Sequence, residues 1–263
     1  MIEEITKNIR KKIIHIVSKS KSSHIGSALS CVDILTVLYF KILRLKTKPD
    51  QRDVCILSKG HAASALYSTL CEKGYFKEEI LNTFCTEGSC LTGHPCLGSV
   101  SGIEATTGSL GHGLSIAAGI AIAGKLDKKS YRVFTILGDG ECNEGSVWEA
   151  AMFSSHHKLD NLIVIIDRNK LQGLGKNNEI INTEPLEEKW NAFGWSTKII
   201  NGHNIEQITK VLESVPFQKG KPSLIIANTI KGKGVSFMED RIEWHYKSPD
   251  EEQSKRAIME INN

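Results

Sequence analysis

Isoleucines at positions 2, 5, 9, 13 and 16 recur at steps of three and four, which lines them along one helical face. The chain therefore opens with an amphipathic helix, which the polar run Ser20-Lys21-Ser22-Ser23-His24 interrupts. Ser30 and Asp33 have the spacing of a capping box and predict a second, more apolar helix reaching about Leu43. Val54–Leu57 has the character of a short buried strand. After Ser58-Lys59-Gly60-His61 a helix is expected to stop at Gly74, since glycine accepts the left-handed conformation that closes helices. Gly and Ala alternate with Ile and Leu over 108–124, as in a helix packed closely against other backbone.

From Arg132 onward, apolar β-branched runs alternate with helical patterns. Strands are predicted at 133–137, 162–166, 196–200 and 224–227, and helices at 146–156 and 205–212. That alternation predicts an α/β fold, a doubly wound and mostly parallel sheet with helices on both faces. No repeat, low-complexity tract or linker divides the chain, so residues 1–263 are expected to form one domain. The polar tail from about 248 is expected to fray.

Composition adds exclusions. Thirty-three basic residues against 30 acidic ones give a net charge of +3, and no basic block stands out, the stretch from Lys41 to Lys48 holding four cations. This argues against nucleic-acid binding. The longest apolar run, at 34–40, is too short to span a bilayer, and the start Met1-Ile2-Glu3-Glu4 has no secretory character. Seven cysteines without paired CxxC spacing read as reduced thiols of a cytoplasmic enzyme. Cys85, Cys90, His94 and Cys96 fall within twelve residues but lack the tight pairs of a structural zinc site.

Ligands of a doubly wound sheet collect at the carboxyl ends of its strands. Gly138-Asp139-Gly140 follows one predicted strand, and Asp167-Arg168-Asn169 follows the next. Neighbouring strands would bring those ends roughly 5 Å apart, so that Asp139 and Asn169 reach one cation. A carboxylate with an amide oxygen is a hard donor pair, suited to Mg²⁺ or Ca²⁺ and poor for zinc. The glycines let backbone N–H groups approach a diphosphate, and a helix N-terminus near Ser146 would add a favourable dipole.

With its following Asn, this segment resembles the thiamine-diphosphate fingerprint, and its surroundings resemble transketolase. The run Leu137-Gly-Asp-Gly-Glu-Cys-Asn-Glu-Gly-Ser-Val-Trp-Glu-Ala150 is similar to that family's metal-loop segment. So are Ser58-Lys-Gly-His-Ala62, Gly93-His-Pro95, Thr107-Gly-Ser-Leu-Gly-His-Gly113, Ile230-Lys-Gly-Lys-Gly234 and Trp244-His245. The resemblance covers about residues 5 to 250 and keeps the order of the motifs.

The resemblance implies Mg²⁺ or Ca²⁺ held by Asp139, the side-chain oxygen of Asn169 and the backbone carbonyl of Leu171. It implies thiamine diphosphate as cofactor, with His61, Gly140 and His245 at or beside its diphosphate and Gly138 and Asn169 also counted with the cofactor set. Leu110, Gly111 and Gly113 would line the same pocket, and His112 stands where the family more often has Gln. Glu144, counted with the cofactor set, and Glu149 match acidic residues that link paired active sites across a subunit interface. His24, His61, His94 and His245 match histidines around the reacting carbons.

The implied reaction moves a two-carbon ketol unit from a ketose (phosphate) donor to an aldose acceptor. A base must then take a hydroxyl proton as a carbon–carbon bond breaks, and imidazole suits that because its pKa lies near working pH. His24 and His245 are assigned to proton transfer and His94 to the donor's terminal hydroxyl. His15, His156, His157 and His203 lie outside these motifs and read as surface or packing residues.

Single-chain members of the family are more than twice this long and carry the pyrimidine-activating Glu on a later domain. A split transketolase is therefore expected, with a C-terminal partner subunit supplying that Glu, sugar phosphates as substrates, and a homodimer core or α2β2 heterotetramer. A truncated chain would read identically. The alternatives are the alpha subunit of a 2-oxo-acid dehydrogenase and a non-catalytic regulatory paralogue.

Overall fold

Five strands run parallel in one sheet in the computed structural model, which describes residues 2–262 apart from the side chain of Pro49. They are β1 (Val54–Leu57), β2 (Val133–Gly138), β3 (Leu162–Arg168), β4 (Ser196–Asn201) and β5 (Ser223–Asn228), in the spatial order β1-β2-β3-β5-β4. Successive side chains of a strand point to opposite faces, so a sheet covered on both sides must feed two cores. Cys55, Phe134, Ile163 and Ile225 enter one core; Ile56, Val133, Leu162 and Ile226 enter the other. The helices Ile2–Ser20, Ala63–Glu72 and Ile205–Glu213 contribute to the first, and His112–Leu126 and Gly145–His156 to the second. This is the α/β sheet with two covered faces that the apolar pattern predicts.

Register sets up the site. Gly138 is the Cα partner of Asp167, and Asp139 N donates to Asp167 O at 3.4 Å, so both chains leave the sheet side by side. Asp139 and Asn169 therefore lie just beyond the carboxyl ends of adjacent strands.

Two expectations are corrected. Ser30 and Asp33 do not form a capping box: the Ser30 hydroxyl donates to Ser27 O at 3.0 Å, while Asp33 pairs with Arg10 at 2.7 Å and His203 Nδ1 at 2.7 Å. The segment is two short helices, Ile25–Ser30 and Val32–Val37, followed by a π-helical turn at Leu38–Ile42. A buried carboxylate needs a cation more than a helix end needs a cap, and Arg10 supplies one. The tail does not fray either. Glu251–Asn262 is a helix whose Ala257 and Ile261 are buried, and it packs against Ile2–Ser20, because its few apolar residues fall on one face. No helix among the described residues is long and apolar enough to cross a membrane.

Candidate active site

The strand ends open into a cleft of about 450 Å³, a size typical of small-molecule sites. Asp139 lies at its base and is 3% exposed. Its carboxylate accepts from Gly140 N at 2.9 Å and Lys170 N at 2.6 Å. Asn169, 5% exposed, accepts from Leu171 N through Oδ1 at 3.1 Å and donates through Nδ2 to Ser30 Oγ at 3.4 Å. The Leu171 carbonyl accepts from Lys231 Nζ at 3.2 Å. Burial pushes the Asp139 carboxyl up to about 6, and the nearby Asp167 charge adds to the shift against the Lys170 amide. Both hydrogen bonds to Asp139 come from main-chain amides, and the Lys59 and Lys231 ammonium groups act on its charge from further off. Two cleft-lining residues, Asn143 and Gln172, each hold a buried polar atom without a hydrogen-bond partner, Oδ1 and Nε2 respectively. A buried carboxylate with a raised pKa beside amide and carbonyl oxygens, with unpaired polar atoms nearby, fits a hard cation and an oxygen-rich ligand.

His24, His61, His94 and His245 arrive from four separate segments and line this one cleft. Ring centroids lie 4.9 Å apart for His24–His245, 5.4 Å for His24–His61, 5.7 Å for His61–His245 and 6.2 Å for His24–His94. His24 holds a left-handed backbone at φ +73° and donates its N–H to His245 O at 2.8 Å, which ties the two segments together. His61 sits in the turn Gly60–Ala62 after β1. A Cβ on Gly60 would come 2.8 Å from Gly108 N, so glycine there lets the His61 turn abut the 107–108 loop. Burial lowers His24 to about 4, with His94, Lys231 and Lys59 adding to it. Burial, then Lys231, lowers His245 to about 3, and burial with Lys59 holds His61 well below its ordinary value. These three rings are neutral at pH 7.

Several charged residues at this site were not singled out from the sequence. Lys59 and Asp167 form an ion pair with side chains 1% and 0% exposed. Asp167 also accepts from the hydroxyls of Ser30 and Thr229. Lys59 donates to Ser27 O at 3.0 Å, and the Asp167 charge holds its pKa above the ordinary value despite burial. Buried Glu141 accepts from Ser58 Oγ, from Gly111 N at 2.9 Å and from Gly138 N at 3.0 Å, clamping three loops. Burial, with Lys59, lowers Lys231 to about 8, which leaves it an ammonium at pH 7. Lys59 and Lys231 fall inside the quoted motifs; a polar residue beside a predicted strand end was the available signal.

Of the other expected residues, Leu110, Gly138, Gly140, Glu144 and Leu171 line the cleft. Gly111 and Gly113 lie behind its lining: Gly111 N is held by Glu141, and a Cβ on Gly113 would meet Ser58 Oγ at 2.3 Å. Ser146 also lies behind it and donates to Gly111 O at 3.1 Å, so the helix it opens adjoins the loop rather than the cavity. His112 and Glu149 are exposed away from the cleft. All seven cysteines are free thiols. Among the described residues no group of three or more His, Cys, Asp or Glu is placed to hold a metal ion.

Residues 2–258 match the family described as transketolase, thiamine diphosphate binding domain. The chain is 46% identical to an apulose-4-phosphate transketolase subunit from Phocaeicola vulgatus, over 96% of this chain and 91% of that one. It is 43% identical to the 6-deoxy-6-sulfo-D-fructose transketolase subunit SqwG of Clostridium sp. (strain MSTE9), over 96% and 93%. Its backbone superposes on the crystal structure of transketolase from Campylobacter jejuni with a TM-score of 0.92 at 32% identity, covering 99% of this chain. It spans only 42% of that longer chain.

Proposed function

The chain belongs to the transketolase family through its thiamine diphosphate-binding domain, and from that premise we propose that it is the diphosphate- and cation-binding subunit of a two-chain transketolase. The observation that carries this reading is the convergence of His24, His61, His94 and His245 over the Asp139–Asn169 pair in one cleft. A 2-oxo-acid dehydrogenase subunit has no need for that set of rings.

In this reading Asp139, the Asn169 amide oxygen and the Leu171 carbonyl would hold Mg²⁺ or Ca²⁺. Gly140, His61 and His245 lie beside the diphosphate. Bound there, thiamine diphosphate supplies the carbon nucleophile and electron sink for breaking a bond next to a ketose carbonyl. His24, neutral and half-buried, takes the hydroxyl proton of the donor sugar. His94, exposed at the cleft mouth, orients the donor's terminal hydroxyl. The substrates are a ketose or ketose phosphate and an aldose acceptor. Two relatives of nearly matching length carry the word subunit in their names, which supports a partner polypeptide bearing the pyrimidine-activating Glu. Two copies of each chain make a closed assembly with paired sites, in which Glu144 and Glu149 face the symmetry-related copy.

Ketol transfer measured on this chain alone, on the partner alone and on their equimolar mixture tests the reading. Turnover is expected only in the mixture, and full turnover by this chain alone would overturn it. A second expectation separates roles within the cleft. His94→Ala should lower kcat/KM for the donor by about ten- to a hundredfold, the loss of one or two hydrogen bonds. Cofactor affinity, read by isothermal titration, should stay within about twofold, because His94 is assigned to sugar and not to diphosphate. Collapse of cofactor affinity with intact donor kinetics would reverse the assignment.

A further inference from the structure

We propose that Lys231 is a positioning residue that fixes His245 as the Nε2–H tautomer, so that this ring meets the ligand as a hydrogen-bond donor and not as a base. Its functional meaning rests on the cleft being the transketolase site; its test does not.

The argument is a count of donors and acceptors. Lys231 is 0% exposed, so its ammonium must place its three hydrogens on protein groups. Three acceptors surround Nζ: Leu171 O at 3.2 Å, Gln172 O at 3.3 Å and His245 Nδ1 at 2.9 Å. An ammonium has no lone pair and carbonyls carry no hydrogen, so His245 Nδ1 must be the acceptor. In a neutral imidazole the single N–H then lies on Nε2. The main chain holds the ring from the other side, since His245 O accepts from His24 N at 2.8 Å. Gly173 keeps the Nε2 edge uncrowded: a Cβ there would come 3.2 Å from Nε2.

His24 differs in a way that divides the work between the two rings. Its Nδ1 lies 3.0 Å from Ser23 Oγ, and a hydroxyl can both donate and accept. Ser23 can therefore match either tautomer of His24 by turning its hydroxyl, whereas the Lys231 ammonium tolerates only the Nε2–H form of His245. Of the two rings assigned to proton transfer, His24 is the one free to accept. His245 offers an N–H to an oxygen of the diphosphate or the sugar.

The tautomer can be read directly on the whole chain carrying ¹⁵N-labelled histidine, by two-bond ¹H–¹⁵N correlation at neutral pH, with His245→Gln assigning the signal. The expected pattern is a pyridine-like Nδ1 and a pyrrole-like Nε2 for His245. Lys231→Met should release the ring into a mixture of tautomers, and Lys231→Arg should keep the Nε2–H form. An Nδ1–H tautomer in the unmodified chain, or an unchanged pattern in folded Lys231→Met, overturns the proposal. If Lys231→Met does not fold, the unmodified chain alone decides. Absence of ketol transfer would overturn the functional reading and leave the tautomer assignment standing, so the two failures are distinguishable.

Discussion

Asp139→Ala is expected to weaken cation-dependent binding of thiamine diphosphate by roughly a hundredfold or more while the chain remains folded. A charged ligand bond is worth about 1.5–3 kcal/mol after solvent exchange, and loss of the cation would also remove its bridge to phosphate. The fold should survive because the carboxylate is not stabilising as it stands. Its pKa is raised to about 6, so the folded state disfavours ionised Asp139, and at pH 7 that preference subtracts from stability. Alanine relieves that cost and leaves Gly140 N and Lys170 N without their acceptor, about 1–3 kcal/mol in the opposite direction. The melting temperature should therefore move little. Isothermal titration with Mg²⁺ or Ca²⁺ present checks the first claim and circular dichroism the second. Unchanged affinity in the folded variant would remove Asp139 from the site.

The strands and the two turns of this site were legible because each rests on a local signal. An apolar β-branched run predicts a buried strand wherever it pairs, and Gly138-Asp139-Gly140 and Asn169 follow two such runs directly. The failures all involve partners distant in sequence. Asp33 reads as a capping residue until Arg10, 23 positions away, and His203, 170 positions away, are seen to hold it. Nothing near Lys59 announces Asp167, because 108 residues separate them and both would ordinarily be expected at the surface. The Glu251–Asn262 helix has few apolar residues, and only its contact with Ile2–Ser20 shows what they are for. The histidine cluster is intermediate. Each ring sits in a motif of its own, yet its neutral state depends on burial together with Lys59 and Lys231, which composition does not reveal.

Lys59→Met should destabilise the chain by about 3–5 kcal/mol, the cost of stranding one member of a buried ion pair. Methionine keeps much of the unbranched apolar stem, so the loss falls on the charge and not on the volume. The Asp167 carboxylate would then keep only the Ser30 and Thr229 hydroxyls as side-chain donors in a site with no solvent exposure. For a chain of this size that corresponds to a melting temperature lower by roughly 10 °C. The pair also organises the cleft floor, because Lys59 ties β3's Asp167 to Ser27 O, three residues from His24, and stands two residues before His61. Cofactor affinity should therefore fall together with stability. Lys59→Met combined with Asp167→Leu removes both charges, and should be more stable than Lys59→Met alone. Urea unfolding of the four proteins in this cycle gives the coupling directly. Full stability in Lys59→Met, or a double variant that loses the sum of the two single losses, would show that the pair is not what holds this floor together.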